Sequence, residues 1–343
     1  MNCKIYLRKG DRNMATSFYI DILENALKTV YPQTIFITDV RQIEKNDLVC
    51  IISMYAFLDV FFHRMSQPII YWWQGVLPEE LGFNIKHYTF RLRLRIWYYT
   101  IWEFILLRKA KLNIFVSVAM YRHYKKKYHF KGENIFIMPC YNQNLTTDSF
   151  FIRGKYDKPS FVYAGGMAAW QCIEDMIKLY CMIKHQLPDA TLTLLTSGIT
   201  EARQLVNKYQ VQDVTIKYVP VAELNQEQAK YKYGFLLRAN NIVNEVATPT
   251  KFNSYLSSGV IPVMSNVIDA YKPILEHMQY VIRMKDEKDI VSAYNSIIAL
   301  EKQQITPEQI LLEYRNIFNL YYNTDRYILD LSAHLKRYCS LRS

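Results

Sequence analysis

The chain runs to 343 residues, 50% hydrophobic and 21% charged, with 42 Lys and Arg against 31 Asp and Glu for a formal net charge of +11. That length buries a substantial core, fits two domains better than one, and marks a globular protein rather than a disordered one. Six scattered cysteines (Cys3, Cys50, Cys140, Cys172, Cys181, Cys339) form no close pairs, which suggests neither a zinc site nor a disulfide framework and leaves a reducing compartment as the default.

In chain order, the first segment mixes Lys4, Arg8, Lys9 and Asp11 around a strand-like Ile5-Tyr6-Leu7. It does not pair a basic stretch with an apolar run and a small-residue cleavage site, so the cytoplasm is the expected location rather than the exterior. Short β-branched or aromatic runs then alternate with longer amphipathic stretches, the pattern of parallel sheets covered by helices. Strands are predicted at 4–7, 34–38, 48–53, 69–73, 113–117 and 135–138, with helices between them. Residues 91–95 alternate with period two, but their long apolar continuation predicts a helix.

The same region carries the charge asymmetry. Between positions 86 and 131 twelve cations (Lys86, Arg91, Arg93, Arg95, Arg108, Lys109, Lys111, Arg122, Lys125, Lys126, Lys127, Lys131) meet one acid, Glu103, a local excess of +11 that leaves the remainder balanced. These cations alternate with aromatic and aliphatic residues from Tyr88 to Leu107. Such a surface suits the headgroup layer of an anionic membrane; equally, it describes a basic helix whose apolar side packs into its own domain. It cannot span a bilayer, because Glu103 interrupts an apolar run already shorter than the roughly 20 residues required. No recognised motif accompanies the charge, so no nucleic-acid partner is expected.

At 148–160 the pattern lapses into the polar, turn-forming Arg153-Gly154-Lys155-Tyr156-Asp157-Lys158-Pro159, which reads as a linker. A second alternating series follows, with strands predicted at 161–164, 192–196, 214–218, 234–238, 261–265 and 280–283. The expected architecture is therefore α/β: two Rossmann-like, doubly wound domains, 1–150 and 151–324, facing across a cleft at the carboxyl ends of their strands. The last stretch, 325–343, has helical spacing at Ile328, Leu331 and Leu335 and is expected to cross back to the first domain.

The most informative segment is 238–259, which reads as a strand end at Arg238, a polar loop through Asn244 and Glu245, a capped helix start and a glycine stop at Gly259. Thr248 is a good N-cap, Pro249 suits the first helical position, and the N–H groups of such a start attract anions, with Lys251 adding a full charge one turn in. A second glycine feature, Tyr163-Ala164-Gly165-Gly166-Met167, follows the first strand of the second domain and precedes a helix expected near Trp170. Gly165 and Gly166 would let the backbone approach a diphosphate from another side.

Together Arg238, Asn244, Val246, Ala247, Pro249, Thr250, Lys251, Phe252, Tyr255, Leu256 and Gly259 resemble the donor-site motif of bacterial family 4 glycosyltransferases of the GT-B fold. Trp73-Gln74-Gly75-Val76-Leu77-Pro78-Glu79-Glu80, Val118-Ala119-Met120, Met138-Pro139-Cys140-Tyr141-Asn142 and Trp170-Gln171-Cys172 are similar to a branch of that family in capsule and exopolysaccharide assembly. The resemblance implies a retaining transferase. Its donor would be a UDP- or GDP-linked sugar, and its acceptor a growing, usually lipid-linked, glycan at the inner membrane face. The chain departs from the family in two places. Family members commonly carry two glutamates eight positions apart, where this chain has Val246 and Ser254, with Glu245 one residue off; many relatives also place a histidine where Gln74 stands.

Departure of a nucleoside diphosphate builds negative charge on its terminal phosphate, which a fixed cation or helix N-terminus stabilises most in the transition state. Arg238, Lys251 and the amides around Thr248 are the candidates for that role, and Ser254 can donate to a ribose hydroxyl. Gln74 can hydrogen-bond a sugar but cannot take a proton, so acid or base work falls to Glu79 or Glu80, unless these merely open a helix. The chain has no Asp-x-Asp and its histidines lack metal-ligand spacing, so metal-independent turnover without a cofactor is expected. The alternatives are a sugar-nucleotide epimerase on the same scaffold, for which the basic aromatic segment has no use, and a non-catalytic GT-B binding subunit.

Overall fold

The computed structural model describes residues 2–83 and 89–339; Met1, Lys86 and Tyr88 of the basic segment, and 340–343 of the expected C-terminal helix, lie outside the described residues. The chain forms two compact units. The first comprises Met1–Cys140, Val246–Thr248 and Asn323–Ser343, the second Tyr141–Glu245 and Pro249–Tyr322.

In the first unit the order is β1 (Cys3–Tyr6), α1 (Ser17–Val30), β2 (Ile35–Ile37), β3 (Leu48–Ile51), α2 (Met54–His63), β4 (Ile69–Trp73), α3 (Leu77–Gly82), α4 (Phe90–Lys109), β5 (Leu112–Phe115), α5 (Val118–Tyr128) and β6 (Ile135–Ile137). Its six strands pair in parallel in the order β2-β1-β3-β4-β5-β6. The central strands are apolar on both faces because helices cover both, as a parallel sheet requires; β3 and β4 are buried throughout. Helix α1 turns Tyr19, Ile22, Leu23, Ala26 and Leu27 inward at helical spacing, and Tyr19 stacks on Trp72 with centroids 4.2 Å apart.

The second unit contains β7 (Ser160–Ala164), α6 (Ile173–Gln186), β8 (Thr191–Leu195), α7 (Ile199–Lys208), β9 (Val214–Lys217), α8 (Val221–Gln228), β10 (Tyr233–Leu236), α9 (Ile242–Glu245), α10 (Thr250–Ser257), β11 (Ile261–Ser265), α11 (Lys272–Leu275), β12 (Ile282–Met284), α12 (Ile290–Glu301) and α13 (Pro307–Leu320). Its six parallel strands run β12-β11-β10-β7-β8-β9, so the order of winding reverses between β7 and β10. Phe161 stacks on Tyr233 and on Phe235, knitting these two strands at the sheet centre. The last helix, α14 (Thr324–Cys339), belongs to the first unit, where it packs along α1 and Ser332 Oγ donates to Ala26 O at 3.2 Å.

The units divide after Cys140 rather than near 150, and the stretch read as a linker is structured. Residues Thr147–Phe151 form a short 3-10 helix. The preceding chain lies along α10: the N–H groups of Asn142 and Gln143 donate to Asn253 Oδ1 at 3.0 and 2.8 Å, and Thr146 N–H donates to Ser257 O at 2.9 Å. At the far end Lys155 donates to Ser149 O and Ser258 O, and Tyr156 Oη to Gly259 O at 2.8 Å. Polar turn formers thus serve as hydrogen-bonding partners for a helix end.

Candidate functional site

In an open doubly wound sheet, ligands bind beyond the carboxyl ends of the strands where the winding reverses. In the second unit those ends deliver Gly165 after β7 and Arg238 after β10. Gly165 has φ +152, and a Cβ there would lie 2.7 Å from Lys251 Nζ and 3.1 Å from Tyr163 Oη. The loop is therefore glycine for a steric reason: the ammonium of Lys251 occupies the notch. That ammonium sits 4.1 Å from the Tyr163 ring centroid and donates to Gln171 Oε1 at 2.8 Å. Tyr163 is fixed in turn by donating to Gly166 O at 2.6 Å, while a side chain at Gly166 would meet open space.

Arg238 is 8% exposed, and its backbone is clamped by Ser265, whose Oγ accepts from Arg238 N–H at 2.8 Å and donates to Arg238 O at 2.9 Å. Among the described residues no carboxylate pairs with Arg238 or Lys251. Burial, reinforced by the positive charge of Arg238, pushes the Lys251 ammonium well below its ordinary range, and burial likewise lowers the Arg238 guanidinium. A buried guanidinium and a half-buried ammonium without a counter-charge are unfavourable alone and become favourable when an anion enters.

Helix α10 begins differently from expectation. Pro249, not Thr248, is its N-cap, Thr250 is the first helical residue, and no side chain caps the end. Thr248 is turned away, its Oγ1 accepting from Cys140 N–H at 2.8 Å within the first unit. Proline has no side-chain acceptor to offer, so the first turn is left open to an external one. The other end matches the sequence reading: Gly259, at φ +71, stops the helix in the left-handed conformation.

Asn244, 4% exposed, shapes the loop before this helix: its side-chain amide donates to Ala239 O at 2.8 Å and its N–H to Asn241 Oδ1 at 3.0 Å. Glu245 is exposed at the end of α9. Ser254 makes one long hydrogen bond, Oγ to Asn142 Oδ1 at 3.4 Å. Arg238, Lys251 and Gly165 thus come together, whereas Asn244 serves the loop. Tyr163 and Gln171, both inside motifs quoted above, complete the cluster; nothing in their residue types marks them as the partners of Lys251. Among the described residues no His, Cys, Asp and Glu side chains group as a metal cage would need, while Lys251, Arg238 and the open helix start all suit an anion.

In the first unit Gln74 is exposed after β4 and donates through Nε2 to Ile52 O at 2.9 Å. Glu80 folds back onto its own helix start, Oε1 accepting from Val76 N–H at 3.0 Å, and a Cβ on Gly75 would lie 2.1 Å from that oxygen. Its carboxylate is a helix cap, and burial raises its pKa. Glu79 faces the other way, toward α5, with Oε1 2.9 Å from His123 Nε2 and 2.7 Å from Lys127 Nζ. Burial pushes the Glu79 pKa up, but those donors outweigh it and hold the carboxyl below its ordinary range. Its second oxygen, Oε2, is buried and has no hydrogen-bond partner among the described residues. Lys127 also reaches Glu103 Oε2 at 3.1 Å, and Glu103, 1% exposed, accepts from Tyr124 Oη at 2.9 Å and Tyr128 Oη at 2.6 Å. The acid that interrupts the basic segment is thus the bolt between α4 and α5.

Helix α4 buries Tyr99, Glu103, Leu106 and Leu107 and turns an apolar stripe outward, with Phe90 75%, Leu94 48%, Trp97 64% and Phe104 43% exposed. Arg91, Arg93, Arg95 and Arg108 are exposed on the same helix. Internal packing and an outward apolar face therefore coexist. Among the described residues no helix is long and apolar enough to cross a membrane.

No protein-family model matches the chain, and no curated protein matches it in sequence. Solved structures do. Sucrose-phosphate synthase from Thermosynechococcus elongatus is similar with a TM-score of 0.69 at 11% identity, over 98% of this chain and 98% of its own. OtsA in its apo form gives 0.67 at 7% identity over 99% of each chain. S. aureus TarM, solved with fondaparinux, alpha-GlcNAc-glycerol and UDP, gives 0.60 at 11% identity over 84% of this chain and 56% of that one, so the chain spans little more than half of TarM. The chain has the α/β fold of the GT-B glycosyltransferases.

Proposed function

We propose that this chain is a retaining, metal-independent glycosyltransferase. It takes a sugar from a UDP- or GDP-linked donor bound by the second unit and passes it to a glycan acceptor, lipid-linked in surface polysaccharide assembly, bound by the first. One observation carries the reading: buried Arg238 and half-buried Lys251 lie without a carboxylate partner among the described residues at the winding reversal of the second sheet, beside Gly165 and the uncapped start of α10. Those groups bind the diphosphate and stabilise the charge that gathers on it as the glycosidic bond breaks, when their attraction is greatest. Gly166, with open space beside it, lets the protein backbone approach the diphosphate; Ser254 and Glu245 are assigned to the donor's nucleoside, and Asn244 and Thr248 hold the connecting loop.

On the acceptor side Gln74 orients a sugar hydroxyl, Glu80 holds the Gln74-Gly75-Val76 turn in shape, and Glu79, kept ionised by His123 and Lys127, is the candidate base. The outward stripe of α4 with its arginines rests on the anionic inner face of the cell membrane, anchoring a cytoplasmic protein at the surface where its acceptor lies.

The test is a melting series with UDP, GDP, ADP and CMP, followed by hydrolysis assays of the matching nucleotide sugars with and without EDTA. Stabilisation by a nucleoside diphosphate and slow, EDTA-resistant sugar release are expected. Interconversion of the sugar would make the chain an epimerase; binding without turnover would make it a binding subunit, the reading favoured by the commitment of Glu80 to its helix cap. No response to any nucleotide would end all three.

A further inference from the structure

The ammonium of Lys251 meets one neutral acceptor, Gln171 Oε1 at 2.8 Å, and one aromatic face, Tyr163 at 4.1 Å. It lies in the notch at Gly165, where a Cβ would come within 2.7 Å of it. Gln171 ends the 3-10 turn Ala169–Gln171, and the next residue, Cys172, is held at φ +52, a conformation few non-glycine residues adopt. The turn is anchored from outside as well, since Trp170 O accepts from Ala239 N–H at 3.3 Å. The amide of Gln171 is therefore presented to Lys251 by a backbone with little freedom to go elsewhere.

We infer that Gln171 holds the place of the phosphate: its carbonyl oxygen occupies the Lys251 ammonium in the empty site and stands where a donor phosphate oxygen takes over. The inference rests on the donor-site reading given above. A neutral amide suits the task because it satisfies the ammonium without neutralising it. An entering phosphate adds a second, opposite charge to the bond, which a neutral amide cannot match, and wins the ammonium. A carboxylate at the same place would not yield. Because apparent affinity falls with the fraction of protein in the competent state, the residue at position 171 sets the strength of donor binding without touching the donor.

The experiment measures UDP affinity by titration calorimetry, and ligand-free melting temperature, for the wild type, Gln171→Glu, Gln171→Met and Lys251→Ala. Gln171→Glu is expected to raise the ligand-free melting temperature, by giving the enclosed cations a counter-charge. It is also expected to weaken UDP binding by about tenfold or more, the gap between a neutral and a charged partner. Gln171→Met, which removes the acceptor at similar volume, is expected to bind UDP as tightly as the wild type or more so. A purely structural role would move stability and affinity in the same direction, so the opposed shift in Gln171→Glu is the diagnostic. If UDP binds the wild type and Lys251→Ala weakens it, yet Gln171→Glu binds UDP normally or Gln171→Met loses tenfold, Gln171 does not hold the place of the phosphate and the inference falls alone. If Gln171→Glu does not fold, the Gln171→Met affinity decides. If UDP, GDP, ADP and CMP all fail to bind the wild type, the donor-site reading falls and takes the inference with it.

Discussion

Replacing Lys251 with methionine should make the ligand-free protein more stable and the nucleotide-bound protein less so. The substitution removes the hydrogen bond to Gln171, worth about 1.5–3 kcal/mol because its donor is charged, and the cation–π contact with Tyr163, worth about 1 kcal/mol in a partly desolvated setting. Against these losses it removes an enclosed ammonium that no acid balances and its repulsion with Arg238, while the methionine keeps most of the packing volume. Leaving an enclosed charge uncompensated costs about 3–5 kcal/mol, which slightly exceeds the losses of about 2.5–4 kcal/mol, so a net gain of about 1 kcal/mol is expected. At about 2–4 °C per kcal/mol for a unit of this size, the ligand-free melting temperature rises by a few degrees. UDP at a hundred times its Kd stabilises the wild type by about 2.7 kcal/mol, and a tenfold loss of affinity removes about 1.4 kcal/mol of that. Paired thermal scans with and without UDP read both effects in one experiment. A variant that melts clearly lower without ligand, yet keeps the full UDP shift, would refute the reasoning, because Lys251 would then be a packing residue.

Three further outcomes follow from groups outside the anion cluster. Glu103→Leu strands Tyr124, Tyr128 and half of the Lys127 pairing in a buried place and should cost about 3–5 kcal/mol by chemical denaturation, whereas Glu103→Gln, which keeps the shape, should cost less; a loss under about 1 kcal/mol for Leu contradicts the bolt between α4 and α5. Lys155, pushed down by burial from 10.5 to about 7, binds its proton in the unfolded chain but not in the folded one between those values. Its contribution to stability therefore grows with pH across that window, and the stability of the wild type relative to Lys155→Met should climb by up to about 1.4 kcal/mol per pH unit above about 7; a flat difference from pH 7 to 9 would show that the amine stays charged on its carbonyls. Gly259→Ala places a methyl at 2.7 Å from Phe150 and 2.8 Å from Tyr156 Oη in a left-handed residue, and should lower stability by about 1–3 kcal/mol in equilibrium denaturation, with an unchanged midpoint counting against the clamp.

The twelve strands of the described residues are legible because each is a short β-branched or aromatic run closed by turn formers; the central ones are apolar on both faces, whereas the edge strands β2 and β9 are partly exposed. Gly165 and Arg238 are legible for a related reason: a glycine or a cation just past a buried strand contributes little to the core, so its residue type points to the loop's own chemistry; Lys251 is legible instead as a cation in the first turn of a proline-led helix. The start of α10 lies one residue beyond its expected place, because proline fits both the N-cap and the first helical position, and the deciding acceptor role of Thr248 toward Cys140 joins residues more than a hundred positions apart. Glu79 and Glu80 look alike in the chain, yet one faces α5 and the other its own helix start, a choice made by the neighbours of α3 and invisible in a Pro-Glu-Glu string. Gln171 and Tyr163 give no signal of their own, since a glutamine and a tyrosine in a loop acquire meaning only once Lys251 is folded onto them.

The chain enters the second unit at Tyr141 and is at once laced to α10, through Asn142, Gln143 and Thr146 and then Lys155 and Tyr156, before it reaches the first strand of that sheet. A backbone entering the unit is therefore tied to this one short helix before it pairs with any strand. The same helix carries Lys251 in its first turn, so the entry of the chain and the candidate anion site share a single element.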